Sequence, residues 1–264
     1  MSKHVLREDR DRVAIVTLNR PEKLNAITAE MLDVIDVAVQ DLRDRDDLRV
    51  LLIRAHGRYF TAGIDIRARV QADTTSPPKD LFATRRNYRR PLHVRLDEME
   101  AVEKPIVMAV HAPCLGIGVE MAGSVDFRLA AESATFALPE MNIGVIAGSG
   151  GISRFTRLCG IGWSKWLSVA GETMDAQTAR MAGFVQAVWP DAEFEDRVWE
   201  FCQRIASKPV EVQTVSKLAV DLAYDLDRTG GRHLERIVNA PLQARDNSDL
   251  VDRVLSKDKS RGSP

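Results

Sequence analysis

The 264-residue chain has three cysteines, Cys114, Cys159 and Cys202, an odd set without metal-type spacing. That pattern argues against a disulfide framework or a cysteine-held metal. It fits reduced thiols in a cytoplasmic protein. Excess charge of one sign is also missing: 37 basic residues stand against 38 acidic ones, for a net charge of −1. Nothing in that balance attracts nucleic acid or an acidic membrane surface. No run reaches the roughly 18 apolar residues a membrane span needs. The opening Met1-Ser2-Lys3-His4 leads into Arg7-Glu8-Asp9-Arg10 and lacks the apolar region of a signal peptide. The sequence has no repeat, no Gly-Lys-Ser/Thr phosphate loop, no metal-ligand cluster and no Ser–His–Asp arrangement. At 45% hydrophobic, it can fill one large core or two small ones.

The first two thirds alternate strand and helix patterns, which implies an α/β core. Val13–Leu18, Val50–Arg54, Ile106–Val110 and Phe127–Ala131 read as strands, with a shorter one at Val185–Trp189. Val50–Arg54 is nearly all apolar, as in a sheet buried on both faces. Thr28 is a plausible N-cap for a helix to about Arg43, with Met31, Leu32, Ile35, Val39 and Leu42 on one face. Glu120–Gly123 and Gly148–Leu158 are expected to be helical, each after a glycine turn. Residues 70 to 80 read as a loop, and Phe82 to Val102 as a helical stretch broken near Pro91. The last third is mostly helical, with amphipathic stretches at His233–Ala244 and Leu250–Ser256 and a tail from Lys257 that frays.

Two glutamates beside glycine-rich turns carry the chemistry. Glu120 ends Gly116-Ile117-Gly118-Val119-Glu120, and Glu140 lies eight residues before Gly148-Ser149-Gly150-Gly151. A third small-residue turn is Ala62-Gly63-Ile64-Asp65. Paired carboxylates can hold one water and divide acid and base duties. Glycine turns that open helices present backbone N–H groups to developing negative charge. Together they suggest an enzyme that stabilises an enolate-like anion and moves protons with carboxylates.

Phe60-Thr61-Ala62-Gly63-Ile64-Asp65-Ile66, Gly116 to Met121 and Pro139 to Gly144 resemble the signature segments of the crotonase (enoyl-CoA hydratase/isomerase) superfamily. Asn19 to Ala26 resembles its N-terminal signature. The resemblance is dense from about residue 5 to 190 and looser beyond. It implies a spiral of ββα units over residues 1–195 as the acyl-CoA-binding core. Residues 196–264 would be a helical region that builds a homotrimer or a dimer of trimers. It implies a coenzyme A thioester as substrate and no metal or other cofactor. By resemblance, the N–H groups of Ile64 and Ile117 form an oxyanion hole. Glu120 activates water, Glu140 protonates Cα, and the Gly148 N–H, opening the third helix, orients that water. Arg20, Lys23, Ala62, Asp65 and Ile66 match the coenzyme A-contacting segments, and Phe82, Tyr88 and Leu92 are candidates for the acyl pocket.

The activity implied is reversible addition of water across the 2,3 double bond of an enoyl-CoA. Two alternatives share the motifs: an enoyl-CoA or dienoyl-CoA double-bond isomerase, and a non-catalytic acyl-CoA-binding protein. Gly148 stands where dienoyl-CoA isomerases resembling this chain carry aspartate, which counts against that activity. Ala147 replaces a common proline, and Ile117 stands where hydratases usually have glycine, a change expected to narrow the acyl pocket or alter the loop. The chain end lacks the family's aromatic-lysine-arginine-proline ending, leaving Lys257 or Lys259 as the candidate cross-subunit phosphate contact. His111, after a buried strand, reads as a structural histidine. The cluster Arg85-Arg86 and Arg89-Arg90 reads as a solvated helix face.

Overall fold

The computed structural model describes residues 3–67, 91–252 and 255. The expectations for residues 70 to 80, for the first part of the Phe82–Val102 helix with Phe82, Tyr88 and the arginine cluster, and for the tail with Lys257 and Lys259 lie outside them. The chain divides into two compact units, Met1–Lys208 and Pro209–Pro264.

The first unit is built on a six-stranded sheet in the order β1-β2-β3-β4-β6-β9. These strands are Val5–Arg10, Val13–Leu18, Val50–Ala55, Ile106–Val110, Phe127–Ala131 and Ala187–Trp189. Only the β1–β2 pair is antiparallel. A second sheet pairs β5 (Cys114–Leu115), β7 (Thr135–Ala137) and β8 (Thr173–Asp175). Among the described residues, its helices are α1 (Ala29–Asp44), α2 (Pro91–Ala101), α3 (Ile117–Gly123), α4 (Gly151–Ser168), α5 (Ala176–Met181) and α6 (Phe194–Ala206).

Alternation along the strands sends side chains to two separate cores. Ala14, Val16, Leu18, Leu51, Ile53, Met108 and Val110 join Met31, Ile35 and Leu42 of α1. Val13, Ile15, Leu52, Val107 and Leu129 meet Phe194, Val198 and Cys202 of α6 on the opposite face. Burial on both faces explains the near-continuous apolar strands. Helix α1 begins where Thr28 accepts a hydrogen bond from the Met31 N–H at 3.3 Å. Because α6 covers the sheet, the first unit reaches Lys208.

Several elements depart from the sequence-based expectation. Strand β1 falls in the charged Arg7–Arg10 segment, at the sheet edge, where most of its side chains face outward. Helix α3 begins three residues earlier than expected, at Ile117, and α4 begins at Gly151 rather than Gly148. Helix α4 runs on to Ser168 past a kink at Gly160. The second unit contains α7 (Val210–Ala223) and α8 (Arg228–Gln243), the latter capped by Asp227 through the Gly230 N–H at 2.7 Å. Neither helix has a fully buried residue.

A buried cation fixes the end of α3. Arg128 on β6 is 3% exposed. It donates to the carbonyls of Ala122 (3.0 Å), Val125 (2.6 Å), Asp126 (3.3 Å) and Phe184. Burial pushes its guanidinium down to about 10, but the carbonyl oxygens solvate the charge in place of water. Arg128→Met leaves buried carbonyls without donors, each a penalty of about 1–3 kcal/mol. We expect a loss of at least about 3 kcal/mol, read as a lower urea midpoint at unchanged slope.

Candidate active site

Three turns converge, and polar side chains lock the first one. Asn25 is fully buried with φ 52°, a left-handed conformation that asparagine tolerates better than most residues. Its Oδ1 accepts from the Arg20 N–H at 2.7 Å, and its Nδ2 donates to the carbonyls of His56 (2.8 Å) and Tyr59 (2.9 Å). Thr61, also fully buried, donates through its hydroxyl to the Asn25 carbonyl at 2.7 Å and accepts from the Gly63 N–H at 3.1 Å. On either side of Ile64, the Gly63 carbonyl accepts from Ile27 at 2.8 Å and the Asp65 N–H donates to Ile27 at 2.9 Å. The Ile64 N–H finds no acceptor among the described residues.

The second turn lies against the first. The Leu115 N–H donates to the Thr61 carbonyl, and the Gly116 N–H to the Ala137 carbonyl, both at 3.0 Å. Gly116 has φ 57° and ψ −120°, outside the range open to residues with a side chain. A Cβ there would also fall 2.8 Å from Glu140 Oε1 and 3.6 Å from Gly63 Cα. Helix α3 starts at the next residue, so the Ile117 N–H is one of its unpaired first-turn donors. Among the described residues it too has no acceptor. The Ile117 side chain is 4% exposed and packs in the core.

The third turn holds Glu120, which is 5% exposed on α3. Its Oε2 accepts from the Ser149 N–H at 2.7 Å and the Gly151 N–H at 3.3 Å. Gly150 between them has φ 88° and forms the left-handed entry to α4. Burial pushes the Glu120 carboxyl up to about 7; the Ser149 and Gly151 hydrogen bonds oppose the shift, and the charge of Glu140 adds to it. Glu140 sits half-buried on the 3-10 turn Pro139–Ile143. Burial raises its pKa as well, and its buried Oε2 has no hydrogen-bond partner among the described residues. A carboxyl in that state favours its proton. The site therefore pairs one acid held by two N–H groups on one oxygen with a second acid whose buried Oε2 meets no donor among the described residues.

Gly148 is exposed and precedes α4, so its N–H does not open that helix as expected; the helix opens at Gly151. Its N–H has no acceptor among the described residues. Arg20 is paired with Asp65 at 2.7 Å and donates to the Ala26 carbonyl at 3.0 Å, tying the N-terminal turn to the first site turn. Lys23 is exposed and has no ion pair among the described residues. Ala62 is half-buried, with its N–H bonded to the Leu24 carbonyl at 2.9 Å, and Ile66 is exposed. His111 Nε2 lies 2.6 Å from the Gly57 carbonyl, a structural contact. Burial pushes up the thiols of Cys114, Cys159 and Cys202, which keeps them un-ionised.

A cavity of about 450 Å³ lies beyond β3, β4 and β6, lined by residues including Arg58, His111 and Asp191. Neither glutamate lines it. Among the described residues, no three His, Cys, Asp or Glu side chains gather to hold a metal, and no helix is long and apolar enough to cross a membrane. Asn25 and Thr61 were visible within their motifs, but their roles were not. Arg154, which touches the third turn through Ser149, gave no signal beyond its nearness to the glycines.

The family described as enoyl-CoA hydratase/isomerase matches residues 8–251. The chain is 32% identical to the short-chain-enoyl-CoA hydratase of Clostridium acetobutylicum over 262 residues, 98% of this chain and 97% of that one. It is 33% identical to the 2,3-dehydroadipyl-CoA hydratase of Escherichia coli over 252 residues, 93% of each chain. The crystal structure of the enoyl-CoA hydratase from Thermoplasma volcanium superimposes with a TM-score of 0.80 at 27% identity, covering 96% of this chain and 97% of that one.

Burial of Glu120 has a measurable cost. Its folded pKa lies above its unfolded one, so no stability is lost below about pH 4.5, and loss accumulates as pH rises to about 7. Glu120→Gln keeps an oxygen for the two N–H donors and removes the charge. We expect it to be more stable than the parent by about 2–3 kcal/mol at pH 8, with the gap closing by pH 5. Denaturant midpoints at both pH values test this; a gap independent of pH would refute it.

Proposed function

The chain belongs to the enoyl-CoA hydratase/isomerase family, and on that premise we propose that it adds water reversibly across the 2,3 double bond of an enoyl-CoA thioester. The observation that carries this reading is the unlike pair of carboxyls, Glu120 gripped by two N–H groups and Glu140 with a buried, unpaired oxygen.

The thioester carbonyl is assigned to the N–H groups of Ile64 and Ile117. Attack of water at Cβ pushes the double-bond electrons toward Cα and onto the carbonyl oxygen, where those donors hold the charge. Losing one such donor typically costs about 3–4 kcal/mol of transition-state stabilisation. Glu120 takes the proton from water while Oε2 stays fixed on Ser149 and Gly151. Glu140 gives its proton to Cα. The hydroxyl ends on Cβ, the new C–H bond on Cα, and the proton on Glu120 returns to Glu140 to close the cycle. The Gly148 N–H is assigned to the water. Gly148 brings no carboxylate of its own, unlike the aspartate expected of a dienoyl-CoA isomerase.

Lys23 is assigned to a coenzyme A phosphate, and the backbone of Ala62, Asp65 and Ile66 to the adenine. Arg20 serves the same segment by holding Asp65. No metal or further cofactor takes part in these steps. Exposed Val220, Tyr224 and Ile237 on or beside the second unit's helices support burial against other copies of the chain, as a trimer or a dimer of trimers. Un-ionised, unpaired thiols fit a reducing, cytoplasmic setting.

The test is loss of conjugated enoyl-thioester absorbance from crotonyl-CoA, then from longer enoyl-CoAs. Wild type should hydrate, and Glu120→Gln and Glu140→Gln should each lose several orders of magnitude, on the order of 10²–10⁴-fold. Activity should climb as pH rises through about 7, where Glu120 becomes the base. Coenzyme A binding without turnover on any enoyl-CoA would remove the hydratase reading. Sedimentation should give a mass of three or six chains, and a monomer would remove the assembly.

A further inference from the structure

The side chain that shapes the third turn lies outside the paired glutamates. Arg154, in the first turn of α4, is 7% exposed. Its Nη1 donates to the Ser149 carbonyl at 3.2 Å, its Nε donates to Glu100 Oε2 at 2.7 Å, and its Nη2 pairs with Asp97. Those two acids belong to α2 and are themselves more than half exposed, at 54% and 64%. A surface pair would need no buried guanidinium, and burying one is costly. Here the buried head reaches the backbone of the turn. A Cβ on Gly150 would collide with Arg154 Nη1, and one on Gly123 of α3 would come 3.2 Å from Arg154 Cβ. The glycines clear a channel for this one side chain.

Ser149 is thereby held from both sides. Its N–H grips Glu120, and its carbonyl is gripped by Arg154. The Arg154 bond fixes the peptide between Ser149 and Gly150, and so the angle between the N–H groups of 149 and 151 that converge on one oxygen. The charged groups facing Glu120 among the described residues are Glu140 and Arg154, with opposite effects on its proton. Asp97 and Glu100 face Arg154 and temper its charge.

We propose that Arg154 is a positioning residue for Glu120: anchored by Asp97 and Glu100, it sets the Ser149–Gly151 turn that aims the Glu120 carboxylate at its water. This rests on the reading of Glu120 as the base.

The test follows the Glu120 carboxyl directly, by titrating ¹³C-carboxyl-labelled glutamate with Glu120→Gln as the assignment control, beside kcat and KM on crotonyl-CoA. Arg154→Met should move the Glu120 titration up. It should lower kcat on the order of 10- to 100-fold with KM nearly unchanged. Arg154→Lys should restore most of the titration and part of kcat. Asp97→Asn with Glu100→Gln, at exposed positions, leaves the arginine charge untempered, so Glu120 should titrate lower while kcat falls. A lower melting temperature in the Arg154 variants, with titration and kcat unmoved, would overturn the proposal. If Arg154→Met does not fold, unchanged titration and kcat in the double variant would do so. An inactive wild type whose Glu120 titration still shifts as stated would sink the hydratase reading and leave the positioning role standing.

Discussion

Two backbone N–H groups on one carboxylate oxygen, those of Ser149 and Gly151 on Glu120, tie α3 to the entry of α4. Glu120 rides on α3, whose start is fixed by Gly116 and whose end is held by Arg128. The donors belong to the entry of α4, some thirty residues on. An ionised carboxylate this deeply buried would be untenable without donors. With them, its proton affinity settles near neutrality, where a group can both accept and release a proton.

The two acids differ because their backbones differ. Glu120 projects toward the N-terminal end of α4, where unpaired amides are available. Glu140 lies on a short 3-10 turn, and its Oε2 meets no donor among the described residues. Identical side chains therefore hold their protons in different settings: one with two N–H groups on a single oxygen, the other with a buried oxygen that meets no donor among the described residues. Residue type alone does not contain that distinction, because it depends on which backbone groups the fold delivers.

What could be read from the sequence was what is local. The α1 helix carried its cap, Thr28, and its apolar stripe, and both are found in place. Strands β2 and β3 carried their apolar runs. Strand β1 escaped because an edge strand can be charged on its open face, and β5, β7 and β8 escaped because two or three residues cannot establish a period. Helix α4 starts three residues beyond Gly148, since the spacing of glycines does not say which one turns left-handed; that residue is Gly150. The glutamates and glycine turns were legible as motifs. Arg128 and Arg154 were not, because an arginine in a sequence suggests solvent until the carbonyls around it are known.

Two glycines of the third turn stand in contrasting surroundings. A Cβ at Gly151 would press within 2.9 Å of Glu120 Oε2, whereas one at Gly148 would meet only Ile146, at 3.5 Å or more. Over generations of mutation these positions have unequal freedom. Position 151 is frozen to its partner: neither can drift unless both change. Position 148 is open ground, where one substitution adds a side chain without repacking the fold. New chemistry on this scaffold has an inexpensive door, and it stands three residues from the one that is shut.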